Sequence, residues 1–68
     1  MPFIPKKNPK IGQWVYLKTP VVVAEGTFTT GTRVLILSRV DDMFDFRDEY
    51  GNLGGLAPEE FFTTEMPT

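Results

Sequence analysis

The residues of this 68-residue chain that could carry chemistry are mostly carboxylates, because the sequence contains no cysteine and no histidine. This composition excludes disulfides, thiolate nucleophiles, imidazole bases and the common zinc ligand sets. The aspartates Asp41, Asp42, Asp45 and Asp48 lie close together, and oxygen ligands of this kind can bind a divalent cation. The stretch lacks the glycine and the terminal glutamate of an EF-hand loop, so we interpret these four as surface acids on a turn. We expect no enzyme, no cofactor and no metal site.

These acids belong to a predicted hairpin within residues 31–51, the strongest local signal in the sequence. Alternation over residues 32–40 predicts a strand that is rich in β-branched side chains. Strict alternation places Val34 and Ile36 on one face together with Ser38 and Val40. The leucines between them suggest a strand that is covered on both faces, as in a closed barrel or in two orthogonally packed sheets.

The second strand of the hairpin follows a turn at Asp41-Asp42. Its apolar side chains, Phe44 and Phe46, share one face and alternate with polar ones. A helix would place these two rings about 200° apart, which argues against helical structure. We therefore expect Phe46 and Ile36 to be buried together in the core.

The flanking segments are shorter and complete an all-β pattern. Alternation over residues 13–19 separates Trp14 and Tyr16 from Val15 and Leu17. Residues 20–31 predict either an irregular hairpin loop folded over the barrel or two short strands. The paired glycines after Leu53 favour a sharp bend or a close approach of two backbones. The segment Pro58-Glu59-Glu60 predicts one helical turn, followed by Phe61-Phe62 as a short strand or as core plugs.

Length and charge bound the organisation of the chain. At this size we expect one domain at 11–62, preceded by an extended arm rich in proline and lysine at 1–10 and followed by a frayed tail at 63–68. Residues 1–37 contain five basic residues and one acid, whereas residues 38–68 contain two basic residues and eight acids. No pattern of a signal peptide or of a membrane span is present, so we expect a cytoplasmic protein.

The order of the pieces resembles the SH3-like small barrels, including the bacterial SH3 type, over about residues 12–62. The resemblance rests on the strand that starts at Gly31, on the acidic turn before an aromatic strand, and on the ending GLAPEEFF at residues 55–62. It implies a barrel of about five strands with a short 3₁₀ turn near Pro58. Where SH3 domains that bind proline-rich peptides have a tryptophan, this chain has Met43, and their late tyrosine is Phe61 here. Polyproline binding is therefore not expected.

The resemblance also implies where a partner would bind. It brings Met43, Pro58 and Phe61 to one side of the barrel, with Tyr16 as a further aromatic residue. The acidic turn at Asp41-Asp42 and the pair Glu59-Glu60 would border this apolar patch. We expect a non-enzymatic interaction module that recognises an apolar surface with a basic rim. By size alone, the chain would suit an accessory or inhibitor protein encoded by a phage or a mobile element.

Two alternative functions and a question of assembly stay open at this point. The barrel could bind nucleic acid through the lysines of the arm, Lys6, Lys7 and Lys10, together with Trp14. The acidic second half argues against this alternative, because it would repel phosphate. Binding to bacterial cell walls is a third function that the resemblance suggests, and the missing signal peptide disfavours it. A homo-oligomer is also compatible with the sequence.

Overall fold

The structure, a computed structural model that describes residues 9–67, is an all-β fold with one short 3₁₀ turn at Glu59–Phe61. The strands are β1 (Trp14–Leu17), β2 (Val21–Val23), β3 (Gly26–Phe28), β4 (Arg33–Val40), β5 (Met43–Asp48), β6 (Leu53–Pro58) and β7 (Phe62–Thr63). The predicted all-β class and the 3₁₀ turn directly after Pro58 are confirmed, whereas the described residues form seven strands where about five were expected. Within the described residues, no helix is long and apolar enough to cross a membrane.

The strands form two antiparallel sheets. The main sheet has five strands in the order β6-β5-β4-β1-β7, and β2 and β3 form a separate two-stranded sheet. The expectation of a closed barrel is wrong, since β6 and β7 stand at opposite edges of the main sheet. The physical reason is the short last strand: β7 has two residues, both paired with β1, and the chain reaches it from β6 through the 3₁₀ turn.

The core lies on one side of the main sheet, which we call the inner face. Ile36 and Phe46 pair directly across β4 and β5, and both side chains are fully buried, as predicted. The Phe46 ring makes edge-to-face contacts with Phe28 at 5.5 Å and with Phe62 at 5.4 Å between ring centroids. Aromatic pairs favour this geometry, because the positive edge of one ring meets the negative face of the other. Phe46 is thus the centre of the aromatic core.

The small sheet covers part of the inner face. Residues 20–31 form two short strands, which confirms one of the two predicted arrangements. Val21 pairs with Phe28 at the base of this hairpin, and the Phe28 side chain is buried in the core. Phe28, together with the partly buried Val21 and Val23, thereby attaches a two-stranded sheet that would be marginal alone.

A bulge in β4 overturns part of the predicted alternation. The register shifts between Ile36 and Ser38, so that Arg39 pairs with Phe44 on the inner face while Ser38 pairs with Asp45 on the other side. Ser38 and Val40 therefore do not share a face with Val34 and Ile36, as strict alternation had predicted. A bulge adds one residue to one strand, which reverses the facing of every side chain beyond it. The Arg39 guanidinium lies over the Phe44 ring, 5.8 Å from its centroid.

The paired glycines of β6 produce a second irregularity, as expected. Gly55 has φ +75°, a left-handed conformation that glycine adopts without cost. Gly54 is buried, and a Cβ atom added there would overlap the edge of the Phe46 ring. The register of β5 and β6 shifts at this point, between Phe46 and Arg47. The close neighbour of Gly54 is therefore the Phe46 side chain, and not a second backbone as predicted.

Candidate interaction surface

The side of the main sheet that faces away from the core, here called the outer face, has an apolar end near the β4–β5 turn. Met43 pairs with Val40 on one side and with Pro58 on the other, so these residues form one row across three strands. In the next row, Leu56 pairs with Asp45. Val40 is 51% exposed and Leu56 is 46% exposed, and they lie on the two strands that flank Met43. We call Val40, Met43, Leu56 and Pro58 the turn-end patch.

Acidic residues border the turn-end patch. Asp41 and Asp42 form the predicted turn between β4 and β5, and Asp41 has φ +54°, which aspartate tolerates better than most residues. Arg39 holds this turn: its Nε donates to the Asp41 carbonyl at 2.8 Å, and its guanidinium lies 3.8 Å from the Asp42 carboxylate. Glu59 follows Pro58 in the chain at the other border. The patch thus combines an apolar row with carboxylates on both sides.

The structure brings five of the seven predicted partner-binding residues together, and Tyr16 and Phe61 are not among them. Asp41, Asp42, Met43, Pro58 and Glu59 meet at the turn end of the sheet. Tyr16 instead pairs with Arg33, at the far end of β4 from Val40, and lines a shallow cavity of about 350 Å³ there. Phe61 is half-buried against the core, and its carbonyl accepts the Lys18 N–H at 2.8 Å. The resemblance had placed both aromatics beside Met43, and register along β4 separates Tyr16 from that residue.

Basic and aromatic residues gather at the opposite end of the outer face. Trp14 lies beneath two guanidinium groups, with the Arg33 Cζ 4.6 Å and the Arg47 Cζ 5.5 Å from the centroid of its ring. These contacts are cation–π interactions, which attract by electrostatics between the cation and the ring face. Leu53, 65% exposed, pairs with Arg47 on the neighbouring strand. We call Trp14, Arg33, Arg47 and Leu53 the arginine end.

The arginine end is the feature that the sequence interpretation missed. Alternation predicted the faces of Trp14 and Arg47 separately. The two residues come together because both pair with Leu35 of β4, which lies between them. Lys10 is exposed near the start of β1, where its N–H donates to the Gln13 side chain. Lys6 and Lys7, which the nucleic-acid alternative invoked, lie outside the described residues.

Asp48 is not the surface acid that the sequence suggested. Its side chain is buried at the end of β5 and accepts hydrogen bonds from the N–H groups of Tyr50 and Asn52 at 2.9 and 2.8 Å, and from the Asn52 amide at 2.9 Å. Burial by itself raises the pKa of Asp48, but the bonds from Asn52, Tyr50 and Gly51 together outweigh it and lower the pKa below 3.8. The carboxylate closes the β5–β6 turn, which is a structural role.

Asp48→Asn is expected to destabilise the protein by about 1–3 kcal/mol at neutral pH, because an amide replaces one of the accepting oxygens. The lowered pKa adds a dependence on pH. The stabilisation by Asp48 is fully present above the pKa that this residue has in the unfolded chain, near 3.8. It is lost as the pH falls through the lower pKa of the folded state. Urea unfolding should be measured at neutral pH and below pH 4. The free energy of unfolding should fall less on acidification in the variant than in wild type. Asp42→Asn, at a fully exposed side chain, is the control, and an equal acid-induced loss in wild type and Asp48→Asn would contradict this role.

A cavity lies between the small sheet and the β5–β6 turn. It has a volume of about 490 Å³ and is lined by residues that include Phe28, Asp48, Asn52 and Leu53. Two acidic residues line it, Glu25 and Asp48, and the Asp48 carboxylate already accepts hydrogen bonds from Asn52 and Tyr50. No three acidic side chains come together anywhere in residues 9–67 in a way that could hold a metal ion. The outer face is therefore the better candidate for a functional surface.

The structure thus combines a small antiparallel all-β fold with an outer face that is apolar and acidic at one end and aromatic and basic at the other. Fold alone does not indicate function, since one small β architecture can present many different surfaces. Comparison with known proteins adds no family to this description: no family model, no curated protein and no solved structure gives a significant match to the chain.

Proposed function

We propose that the chain is a non-enzymatic protein-interaction module of SH3-like architecture that binds its partner through the turn-end patch. The observation that carries the proposal is the row of Val40, Met43 and Pro58, with Leu56 beside it, on an outer face where Val40 and Leu56 stay about half exposed. Contiguous exposed apolar side chains on a small protein mark interaction sites more often than isolated ones do. Met43 suits the centre of such a site, because its flexible thioether adapts to partners of varied shape.

The borders of the patch specify the chemistry of the partner. Asp41 and Asp42 on one side and Glu59 on the other favour lysine or arginine around an apolar centre. Arg39 already lies 3.8 Å from Asp42 and is about half exposed, so a basic group of the partner would compete with it there. Asp45, which pairs with Leu56 in the row next to Met43, offers a further carboxylate to the partner.

The proposal predicts that Met43→Asp strongly reduces partner capture without unfolding the protein. A charge at the centre of an apolar interface weakens binding by about tenfold or more, because the carboxylate must lose its water. The measurement is the recovery of bound proteins from lysate by immobilised wild type and variant. Val22→Asp is the matched control: Val22 is 78% exposed on β2, so the same change is made away from the patch. Equal recovery of the same partner by wild type and Met43→Asp, with both folded, would reject this surface.

The arginine end supports nucleic-acid binding as a second candidate function. Guanidinium groups and an indole ring side by side are typical of surfaces on which bases stack. However, Arg33 and Arg47 already lie over Trp14, and Arg33 also lies 3.6 Å from the Glu49 carboxylate. Nuclease treatment of the lysate distinguishes the two functions in the same capture experiment. Capture that disappears with nuclease would favour nucleic acid, and capture that persists would favour a protein partner.

A further inference from the structure

The two ends of the outer face carry opposite charges along a single strand. On β5, the outward positions are Met43, Asp45 and Arg47 in order, because Phe44, Phe46 and Asp48 between them are buried. Asp45 lies in the row of the turn-end patch, and Arg47 lies in the row of the arginine end with Leu35 and Leu53. The apolar side chains run through both rows, whereas the charge changes sign between them. A surface of this kind is complementary to itself when it is turned end for end.

We infer that the partner of the outer face is a second copy of this chain, packed face to face as a symmetric dimer. The inference rests on the proposed function, since it assigns a partner to the same surface. The two-fold axis of this dimer lies in the interface, perpendicular to the strands, between the Asp45 row and the Arg47 row. It places β5 of one protomer against β5 of its partner, and the two strands run antiparallel. Each Asp45 then meets the Arg47 of the other protomer, and two such contacts form, as an isologous interface requires.

The remaining outward residues fit this arrangement. Leu56, in the Asp45 row, meets the partner row that contains Leu53, and the two leucines are 46% and 65% exposed in the single chain. The interface core is therefore apolar, with charged pairs that fix the register of the two faces. The acids at the β4–β5 turn approach the arginine end of the other protomer, where Asp41 and Asp42 would compete with Glu49 for Arg33, 3.6 Å from the Glu49 carboxylate in the single chain. The opposite arrangement, with like ends together, would set Asp45 against Asp45.

A charge swap tests this geometry on the purified protein. Asp45→Arg and Arg47→Glu are made separately, and the sedimentation of each variant is followed up to a chain concentration on the order of 1 mM, the weak end of specific association. Each variant alone opposes like charges at both contacts, so its dimer is expected to dissociate about tenfold or more readily than that of wild type. In a mixture of the two variants, both contacts again join opposite charges. The mixture should therefore form a heterodimer about as stable as the wild-type dimer.

Arg47 also contacts Trp14 and donates to the Asp48 carbonyl at 3.0 Å, so Arg47→Glu could disturb the fold. Leu56→Asp provides an independent probe, since Leu56 is half exposed on the same face. It should make the protein monomeric, whereas Val22→Asp should leave the dimer intact. A dimer that survives Leu56→Asp would overturn the inference, because it would be formed elsewhere, for example through the free edge of β6.

The outcomes separate this inference from the proposed function. Wild-type protein that stays monomeric at the highest concentration overturns the second-copy assignment, while loss of a lysate partner in Met43→Asp would still support the patch as a binding site. Dimerisation without restoration in the mixture of folded swap variants also overturns the assignment. Restoration of the heterodimer, together with a monomeric Leu56→Asp variant, establishes the outer face as the dimer interface.

Discussion

Replacing Phe46 with alanine is expected to destabilise the protein by about 3–5 kcal/mol, because the change removes a fully buried ring and leaves a cavity. A core in a chain of this size rarely supplies more than about 3–5 kcal/mol of net stability. The variant should thus be largely unfolded at room temperature. The Phe46 ring contacts both Phe28 and Phe62, so its loss also releases the small sheet and the last strand from the core.

Urea unfolding followed by tryptophan fluorescence measures this effect, since Trp14 is the single tryptophan of the chain. Phe46→Leu keeps part of the buried volume and should cost less, about 1–2 kcal/mol, so that a transition can still be fitted. Tyr50→Ala is the matched control, because it removes an aromatic ring that is almost fully exposed. A Phe46→Ala variant within about 1 kcal/mol of wild type would contradict the central position of this ring in the core.

Gly54→Ala should have the second largest effect, at about 1–3 kcal/mol or more. The added methyl group would occupy space that the Phe46 ring already fills, so the ring or the backbone of β6 must move. Gly55 differs from its neighbour: a Cβ there meets nothing within 4 Å, but its φ of +75° is unfavourable for alanine. Gly55→Ala should therefore cost about 1–2 kcal/mol for backbone reasons alone.

A double-mutant cycle with Phe46→Leu separates these two causes. Shortening residue 46 removes the ring edge that blocks the new methyl group, so Gly54→Ala should be less destabilising in the Phe46→Leu background. The cost of Gly55→Ala should be the same in both backgrounds. Additive effects of Gly54→Ala and Phe46→Leu on the free energy of unfolding would show that the two residues are not in contact.

The sequence alone determined the features that depend on neighbouring residues within one strand. Alternation separated Val15 and Leu17 from Trp14 and Tyr16 without saying which pair is buried, and it placed Phe44 and Phe46 on one face of β5. The structure buries Val15, Leu17, Phe44 and Phe46. Local backbone chemistry located the turn at Asp41-Asp42 and the bend of β6. These predictions succeeded because the two-residue period of a strand and the angles of a turn are set over a few successive residues.

The tertiary structure decided everything that depends on how strands align. The bulge after Ile36 turned Ser38 and Val40 outward, and Val40 thereby joined Met43 in the turn-end patch. Asp48 looked like one more exposed acid until the fold of the β5–β6 turn surrounded it with donors. No pattern within one strand reveals either outcome, because both depend on partners from another part of the chain.

The candidate surface shows the same division between sequence and fold. The resemblance to SH3-like barrels brought Met43 and Pro58 together correctly, since a hairpin between β5 and β6 leaves few registers open. It could not separate Tyr16 from them or bring Arg33 and Arg47 onto Trp14, because those contacts join strands that are distant in the sequence. The face of the sheet toward which a side chain points is a local property that the sequence of one strand encodes. The arrangement of charges across the outer face instead depends on the register of four strands at once.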